Sequence, residues 1–197
     1  MIVDFRAPQI LTKVNRYMNA SPEQLAILDS TIREVPDFPK PGIVFKDITT
    51  LISNRLAFKT AIDLFVEQLA GKEIDFIACP EARGFVWAAP LAYRLDAGVT
   101  LIRKPGKLPS ATLEHTFDLE YGSDTLTIHA DAFADKISPN VLIVDDVLAT
   151  GGTAAATTEL VTAAGGNVTA YAMLIELDFL NGRSCLLDVP IISLLHY

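Results

Sequence analysis

Residues 141–153 combine the residue types that bind a sugar phosphate. The apolar, β-branched run 141–144 predicts a buried parallel strand, and the adjacent carboxylates of Asp145 and Asp146 follow it. The turn after them is rich in hydroxyls and glycines and leads into a predicted helix, whose N-terminal amides can bind phosphate. We therefore predict a phosphate loop beside two carboxylates that accept hydrogen bonds from sugar hydroxyls. The residues of this loop are Ala149, Thr150, Gly151, Gly152 and Thr153.

The glycine pattern of this loop excludes two common nucleotide sites. A nucleoside triphosphate loop would end in Gly-Lys-Ser or Gly-Lys-Thr, and a dinucleotide fold would contain Gly-x-Gly-x-x-Gly. The sequence contains neither pattern. A phosphorylated sugar is therefore a better ligand for this loop than a nucleoside triphosphate or a dinucleotide.

The composition predicts a single soluble domain. A chain of 197 residues can bury one sizeable core but is short for two domains. No apolar run approaches the roughly 18 to 20 residues that cross a bilayer. The net charge of −8 argues against a nucleic-acid partner, which needs a basic surface. We therefore expect neither nucleic acid nor a membrane as a partner.

The cysteines and the first residues predict a cytoplasmic protein. Cys79 and Cys185 lie far apart without ligand-like spacing, so we expect two reduced thiols and no zinc site. Residues 1–8 carry Asp4 and Arg6 and lack the apolar centre of a secretory signal.

Strands and helices alternate along the chain, which predicts an α/β fold with a central, mostly parallel sheet flanked by helices. A capping box at Ser21 predicts one helix, and Asn54 caps an amphipathic helix over 54–71. Ligands of such sheets bind beyond the carboxyl ends of the strands, so the loops there should meet the phosphate loop. The other predicted elements are strands at 74–79, 99–102, 141–144 and 168–174, and helices at 85–95 and 154–164.

Two irregular segments accompany these elements. Prolines at 36, 39 and 41 prevent a regular helix or central strand within 35–48. Period-two alternation in 117–121 and 125–129 predicts a projecting hairpin. Because 110–115 is polar and follows a proline- and glycine-rich loop, we predict a flexible lid over about 103–128. The single domain, 1–197, thus divides into a helical extension (1–34), a segment at 35–52 that contains the irregular stretch, a core (53–180) and a C-terminal segment (181–197).

Two loops after predicted strands concentrate positive charge in this acidic chain. Cations at strand ends predict a site for a strongly anionic group, and pyrophosphate is the obvious candidate. The alternative is that these side chains are ordinary solvated cations. The first loop contains Glu81, Ala82 and Arg83, and the second contains Arg103, Lys104 and Lys107.

Several segments together resemble the type I phosphoribosyltransferase family, whose members use 5-phosphoribosyl 1-pyrophosphate (PRPP), and within it the members that act on adenine. Residues 141–153 match the PRPP signature, and the resemblance extends from about Val35 to Tyr197. The other matching segments are PDFPKPGIVFKDI at 36–48, EARGF at 81–85, RKPGKLP at 103–109, LEYG at 119–122 and SLLHY at 193–197.

This resemblance implies a Mg²⁺-dependent transfer of the 5-phosphoribosyl group from PRPP to N9 of adenine, giving AMP and pyrophosphate. PRPP itself would carry most of the Mg²⁺, and the implied assembly is a homodimer. The segment 35–52 would form a hood over the base. Asp145 and Asp146 would bind the ribose, and the phosphate loop would bind the 5-phosphate. The implied catalytic residues are Glu120, Tyr121 and Arg83, with Glu81, Ala82, Arg83, Arg103, Lys104 and Lys107 for pyrophosphate, and Val44, Phe45 and Lys46 for adenine.

Two alternatives share the PRPP signature. One is transfer to a 6-oxopurine, and the other is a PRPP-sensing regulator that has lost catalysis. The chain also departs from related sequences, because Lys46 stands where others carry arginine and Cys79-Pro80 precedes Glu81. From the resemblance we expect a cis peptide bond between Glu81 and Ala82.

Overall fold

A five-stranded parallel sheet forms the centre of the computed structural model, which describes residues 20–119 and 122–197. The described strands are β1 (Arg33–Pro36), β2 (Val44–Asp47), β3 (Phe76–Pro80), β4 (Gly98–Ile102), β5 (Thr112–Leu119), β6 (Gly122–His129), β7 (Asn140–Leu148), β8 (Asn167–Glu176) and β9 (Ile191–His196). The helices are α1 (Pro22–Asp29), α2 (Thr49–Ser53), α3 (Arg55–Gln68), α4 (Gly84–Leu95) and α5 (Gly152–Ala163), with 3₁₀ helices η1 (Asp178–Leu180) and η2 (Gly182–Cys185). The central strands lie in the order β4-β3-β7-β8-β9, which confirms the predicted fold class.

Alternate residues of the central strands face two separate cores. In β7, Leu142 and Val144 join the core beneath α1, α3 and α4, while Val141 and Ile143 join the core beneath α5. This period-two division explains the continuous apolar run, because a parallel sheet with both faces covered buries every side chain of a central strand.

The carboxyl ends of β3 and β7 border a crevice where the chain direction reverses. From β3 the chain passes through α4 to β4 on one side, and from β7 it passes through α5 to β8 on the other. The pairing of β3 with β7 covers only the register from Phe76↔Val141 to Ala78↔Ile143. Beyond it the two strands diverge, which makes this point the expected ligand site of an open α/β sheet.

The signature strand is longer than predicted. It continues through Leu148, which pairs with Glu176 of β8. Asp145 and Asp146 therefore lie within β7 and not after it. They reach the crevice because β3 no longer pairs with β7 at their level.

Two small antiparallel pairs lie outside the central sheet. β1 begins at Arg33, just before the predicted irregular segment, and pairs with β2 inside it, so the prolines there leave room for short strands. β5 and β6 form the hairpin, whose strands begin earlier than predicted and pair from Thr112↔His129 to Leu119↔Gly122. β5 thus begins inside the polar segment 110–115, and the lid over about 103–128 stays a prediction.

Two predicted helix starts are present as expected. Ser21 forms the predicted capping box with Gln24, and the Asn54 side chain accepts hydrogen bonds from the amides of Leu56 and Ala57. The predicted C-terminal segment contributes β9 to the sheet. Within residues 20–119 and 122–197, no helix has the length and apolar character needed to span a bilayer.

Candidate functional site

The turn after β3 brings Arg83 into the crevice. The predicted cis peptide bond between Glu81 and Ala82 is present, and Arg83 is the N-cap residue of α4. The next residue, Gly84, packs closely against β7, because a Cβ there would lie 3.1 Å from the carbonyl oxygen of Val144. This close packing sets Arg83 directly beside the carboxylates of the signature strand.

Asp146 and Arg83 join the two strand ends. The Nε atom of Arg83 lies 2.7 Å from Oδ2 of Asp146, whose side chain is only 5% exposed, whereas that of Arg83 is 51% exposed. Burial raises the pKa of Asp146, and the Arg83 charge opposes that rise. Arg83 therefore holds a buried carboxylate while part of its side chain stays open to solvent.

Asp145 lies beside this pair. One of its carboxylate oxygens accepts a hydrogen bond from the Asp146 amide at 2.8 Å. Loss of surrounding water, followed by the neighbouring Asp146 charge, raises its pKa well above the usual carboxyl value. New donors, such as sugar hydroxyls or a cation, would stabilise the ionised form of Asp145.

The predicted phosphate loop links β7 to α5. Gly151 adopts a positive φ of 88°, which glycine accommodates without strain, and its carbonyl accepts the Ala155 amide at 2.9 Å. The first amides of α5 have no partner within the helix and face the loop, as in known phosphate sites. The loop therefore leads from the carboxyl end of β7 into the N-terminus of α5, where a phosphate site was predicted.

The predicted cations are mostly paired with carboxylates of the protein. Arg103 is ion-paired with Glu81, and Lys104 with Asp124 of the hairpin. The backbone of Arg103 also bridges to Thr127, which ties the hairpin to the second loop. Lys107 is exposed. An incoming pyrophosphate would thus compete with carboxylates for these cations.

The hood strand β2 lies over Arg83. The Phe45 ring centroid is 5.8 Å from the Arg83 guanidinium carbon, and Phe38 packs edge-on against Phe45 with ring centroids 5.2 Å apart. Val44 is 52% exposed. The Phe45 ring thus covers the crevice from above.

Lys46 makes different contacts from its neighbour Phe45. Its ammonium is paired with Glu34 of β1 and lies 3.8 Å from the centroid of the Tyr197 ring. Successive side chains of a strand point to opposite faces, so Lys46 and Phe45 cannot share a contact surface. The structure brings together Phe45, Arg83, Asp145 and Asp146, and directs Lys46 elsewhere.

Glu120 and Tyr121 lie outside the described residues. Their predicted catalytic roles therefore stay predictions.

Sequence reasoning missed Gly182, which lies against the phosphate loop. A Cβ on Gly182 would lie 2.2 Å from the carbonyl oxygen of Ala149, so the two backbones touch. The dipeptide Asn181-Gly182 signals a turn, but a turn signal does not reveal what the turn packs against.

The fold and this site define a phosphoribosyltransferase. The family model described as the phosphoribosyl transferase domain matches residues 49–184. A similar protein from Koribacter versatilis (strain Ellin345), named adenine phosphoribosyltransferase, is 54% identical over 170 residues, which are 86% of this chain and 92% of that protein. The chain belongs to the adenine phosphoribosyltransferase family.

Solved structures of similar proteins support the same family assignment. The crystal structure of adenine phosphoribosyltransferase from Thermoanaerobacter pseudethanolicus matches with a TM-score of 0.83 and 49% identity over 88% of this chain and 99% of that one. The Saccharomyces cerevisiae enzyme, complexed with an imino-altritol bisphosphate and adenine, matches with a TM-score of 0.81 and 39% identity, covering 87% and 98% of the two chains.

Proposed function

We propose that this chain transfers the 5-phosphoribosyl group of PRPP to N9 of adenine, giving AMP and pyrophosphate, through the crevice between β3 and β7. The observation that carries the assignment of residues is the line of contacts from the Phe45 ring through Arg83 to Asp146. These contacts connect the ring that would cover a flat base with the carboxylate that precedes the phosphate loop. Family membership supports the chemistry, and the yeast relative is complexed with adenine.

PRPP would lie along the signature strand. Asp145 and Asp146 would accept hydrogen bonds from the ribose hydroxyls, which would compensate the carboxylates for the water they lack. The amides of 149–153, with the hydroxyls of Thr150 and Thr153, would surround the 5-phosphate at the N-terminus of α5.

The pyrophosphate would lie among the cations of the two flanking loops. Arg83, Arg103, Lys104 and Lys107 would approach it, together with the backbone of 81–82. Because several of these cations are already paired with carboxylates, the anion would have to exchange places with those partners. Such an exchange would let the loops tighten when the substrate arrives.

The residues of this site are suited to hold Mg²⁺ together with the phosphate oxygens of PRPP. It prefers hard oxygen ligands and commonly binds one or two carboxylates together with phosphate oxygens. Asp145 and Asp146 are adjacent carboxylates of this kind. Bound Mg²⁺ would neutralise charge on the departing pyrophosphate.

The geometry fits a reaction in which the sugar becomes cationic as pyrophosphate departs. Asp145 and Asp146 would stabilise positive charge on the ribose, and Arg83 would stabilise negative charge on the leaving group. The ring of Phe45 would hold the base, and Val44, the preceding residue of β2, would approach the base through its backbone. Glu120 is proposed to handle the adenine proton, with Tyr121 beside it on the lid.

The proposal also covers the cellular compartment and the oligomeric state. We propose a cytoplasmic homodimer, and its partners would be adenine and PRPP. An exposed apolar surface on α4 and the edge strand β4 supports self-association. Its large members are Tyr93, Val99 and Leu101.

The deciding experiment is a turnover assay with purified protein, Mg²⁺ and PRPP, in which adenine, hypoxanthine, guanine and xanthine are compared. We expect AMP formation from adenine and little product from the 6-oxopurines. Turnover of a 6-oxopurine alone would reject the assignment of the hood. PRPP binding without turnover of any base would instead support a regulator.

A further inference from the structure

Glu176, at the end of β8, lies at the centre of a buried polar cluster. The residue is 4% exposed. Arg183 donates to both carboxylate oxygens, with Nη2 at 2.6 Å from Oε2. Ser193 of β9, which is fully buried, donates to the same oxygen at 2.6 Å. We call Glu176, Arg183 and Ser193 the brace.

Arg183 ties the short helix η2 to the central sheet. Besides its contacts with Glu176, it donates to the Ile191 carbonyl at 3.4 Å and to the Ser193 hydroxyl at 3.3 Å. η2 has four residues, and its N-cap residue, Asn181, makes no side-chain cap hydrogen bond. A helix this short gains little stability from its own hydrogen bonds, so its position depends on such anchoring contacts.

η2 supports the phosphate loop through backbone contact. A Cβ on Gly182 would lie 2.2 Å from the Ala149 oxygen, and a Cβ on Gly151 would lie 2.4 Å from the Gly182 oxygen. The Cys185 thiol lies 3.5 Å from the Thr150 carbonyl oxygen. With no space between the two backbones, a shift of η2 would move the loop.

The brace is better explained as a structural clamp than as a cation site. Glu176, Asp178 and His196 form a group of potential metal ligands within 4.8 Å of one another in the described part of the chain. Both Glu176 oxygens, however, already accept from a guanidinium. A metal ion would have to displace that cation from a buried carboxylate.

We propose that Glu176 and Arg183 are positioning residues for the 5-phosphate of PRPP. They act by holding η2 against the phosphate loop, so that the amides of 149–153 keep the shape that binds phosphate. Neither side chain needs to touch the substrate. This inference rests on the proposed function, because it assigns the 5-phosphate to that loop.

The experiment compares two variants that weaken the brace in different ways with a control variant elsewhere in the molecule. Arg183→Lys keeps the charge but cannot hold both oxygens in the same planar fork. Glu176→Met combined with Arg183→Met removes both charges and leaves neither one buried alone. Arg94→Met is the matched control, since Arg94 forms an ion pair with Asp63 between α4 and α3, away from the loop.

The readout separates ligands that carry the 5-phosphate from those that do not. We expect the double variant to raise KM for PRPP, and for AMP in the reverse reaction, by about tenfold or more. KM for adenine and for pyrophosphate should change by less than about twofold. Arg183→Lys should lie between the double variant and the parent protein, and Arg94→Met should match the parent.

Three results would overturn the proposal. They are unchanged KM values in folded variants, an equal rise for all four ligands, and a loss of kcat that follows only the loss of folded protein. Binding of ribose 5-phosphate, measured by calorimetry, separates this failure from failure of the proposed function. If the parent protein binds it but turns over no base, the function is wrong, while weaker binding by the double variant still supports the brace.

Discussion

Asp145 and Asp146 are adjacent in sequence but differ in their electrostatic partners. Arg83 lies against Asp146, whereas Asp145 receives the Asp146 amide and the repulsion of a neighbouring carboxylate. Burial raises the pKa of both groups. A buried and a half-buried carboxylate with one neighbouring guanidinium leave a site that gains from polar donors, and ribose hydroxyls are donors of this type.

Removing both charges should damage the use of PRPP specifically. We expect Asp145→Asn combined with Asp146→Asn to lower kcat/KM for PRPP by about 10²-fold or more, because charge stabilisation at the sugar is lost. Steady-state kinetics with varied PRPP measures this effect. Asp135→Asn, at an exposed position, is the control. An unchanged PRPP dependence would reject the assignment of the signature carboxylates.

The two cysteines should differ in reactivity. Cys79 is fully buried in β3, and burial, with the charge of Asp145, raises the pKa of its thiol to about 12. Cys185 is exposed. Because the thiolate is the reactive form, we expect iodoacetamide at pH 8 to modify one thiol in the native protein and two after unfolding. Mass spectrometry would count them, and a native Cys185→Ser variant should stay unmodified.

Among the elements, the hood is held to the rest of the molecule by a short series of polar contacts. Lys46 of β2 lies over the ring of Tyr197, the residue that follows β9. The Tyr197 hydroxyl donates to Asp29, the last residue of α1, at 2.7 Å. Burial and the Asp29 contact raise the pKa of Tyr197, so its hydroxyl remains a donor at neutral pH. The strand that carries Phe45 is therefore anchored through α1.

Loss of the Tyr197 ring should loosen the base site more than the PRPP site. We expect Tyr197→Leu to raise KM for adenine by about two- to fivefold, the value of an exposed cation–π contact, with a smaller change for PRPP. Tyr197→Phe keeps the ring and removes only the hydroxyl, so it should be milder. Equal effects of the two variants on adenine would show that the ring contact with Lys46 contributes nothing.

The hood should also lose stability in acid. Arg33 and the Thr49 amide hold the pKa of Asp47 at about 2, below its ordinary value. A carboxyl with a depressed pKa stabilises the fold above its unfolded pKa of about 3.9, and this contribution disappears as the pH falls towards about 2. Because Arg33 is 58% exposed, we expect at most about 1 kcal/mol.

Unfolding titrations of the parent protein and Asp47→Asn between pH 5 and pH 2 would measure this contribution. The difference in unfolding free energy should be largest at pH 5 and should approach zero near pH 2. A difference that stays constant over this range would contradict the role of the ionised carboxylate.

The sequence predicted those elements whose signals are local. Ser21 and Asn54 cap helices with hydrogen bonds to residues two or three positions away, so the chain itself specifies where the helices begin. The full length of β7 could not be predicted, because its last residues are strand only through pairing with β8. Residues 112–115 are polar enough for a loop but pair with β6.

At the scale of the whole molecule, the loops themselves could be predicted from local sequence, but the contacts between them could not. The signature alone predicted the phosphate loop, since glycines, hydroxyls and a helix start lie in consecutive positions. The contact of Gly182 with this loop, and that of Arg83 with Asp146, depend on strand order and could not be predicted. Strand order results from how the cores on the two faces pack.

The proposed dimer can be tested by measuring the mass of the whole assembly. Tyr93 is 88% exposed on α4, and Val99 and Leu101 lie exposed on one face of the edge strand β4. Apolar side chains grouped on an accessible edge favour association. Light scattering should give twice the chain mass of 21.4 kDa, and Val99→Glu combined with Leu101→Glu should give one chain mass.

Ile137→Glu is the control for this test, because Ile137 is 98% exposed and lies outside that surface, in the loop before β7. It should leave the mass of the dimer unchanged. A dimer that persists in the double variant would mean that another surface joins the subunits.

Arg83 contacts both the Phe45 ring of the hood and the Asp146 carboxylate, so in the proposed arrangement the two substrates would share one guanidinium. A ligand that fixes this side chain from one direction lowers the ordering cost for a ligand that arrives from the other. Such coupling is reciprocal, so adenine should strengthen the binding of PRPP by the same factor by which PRPP strengthens the binding of adenine. Cooperativity between the two substrates would thus follow from one arginine within a single subunit.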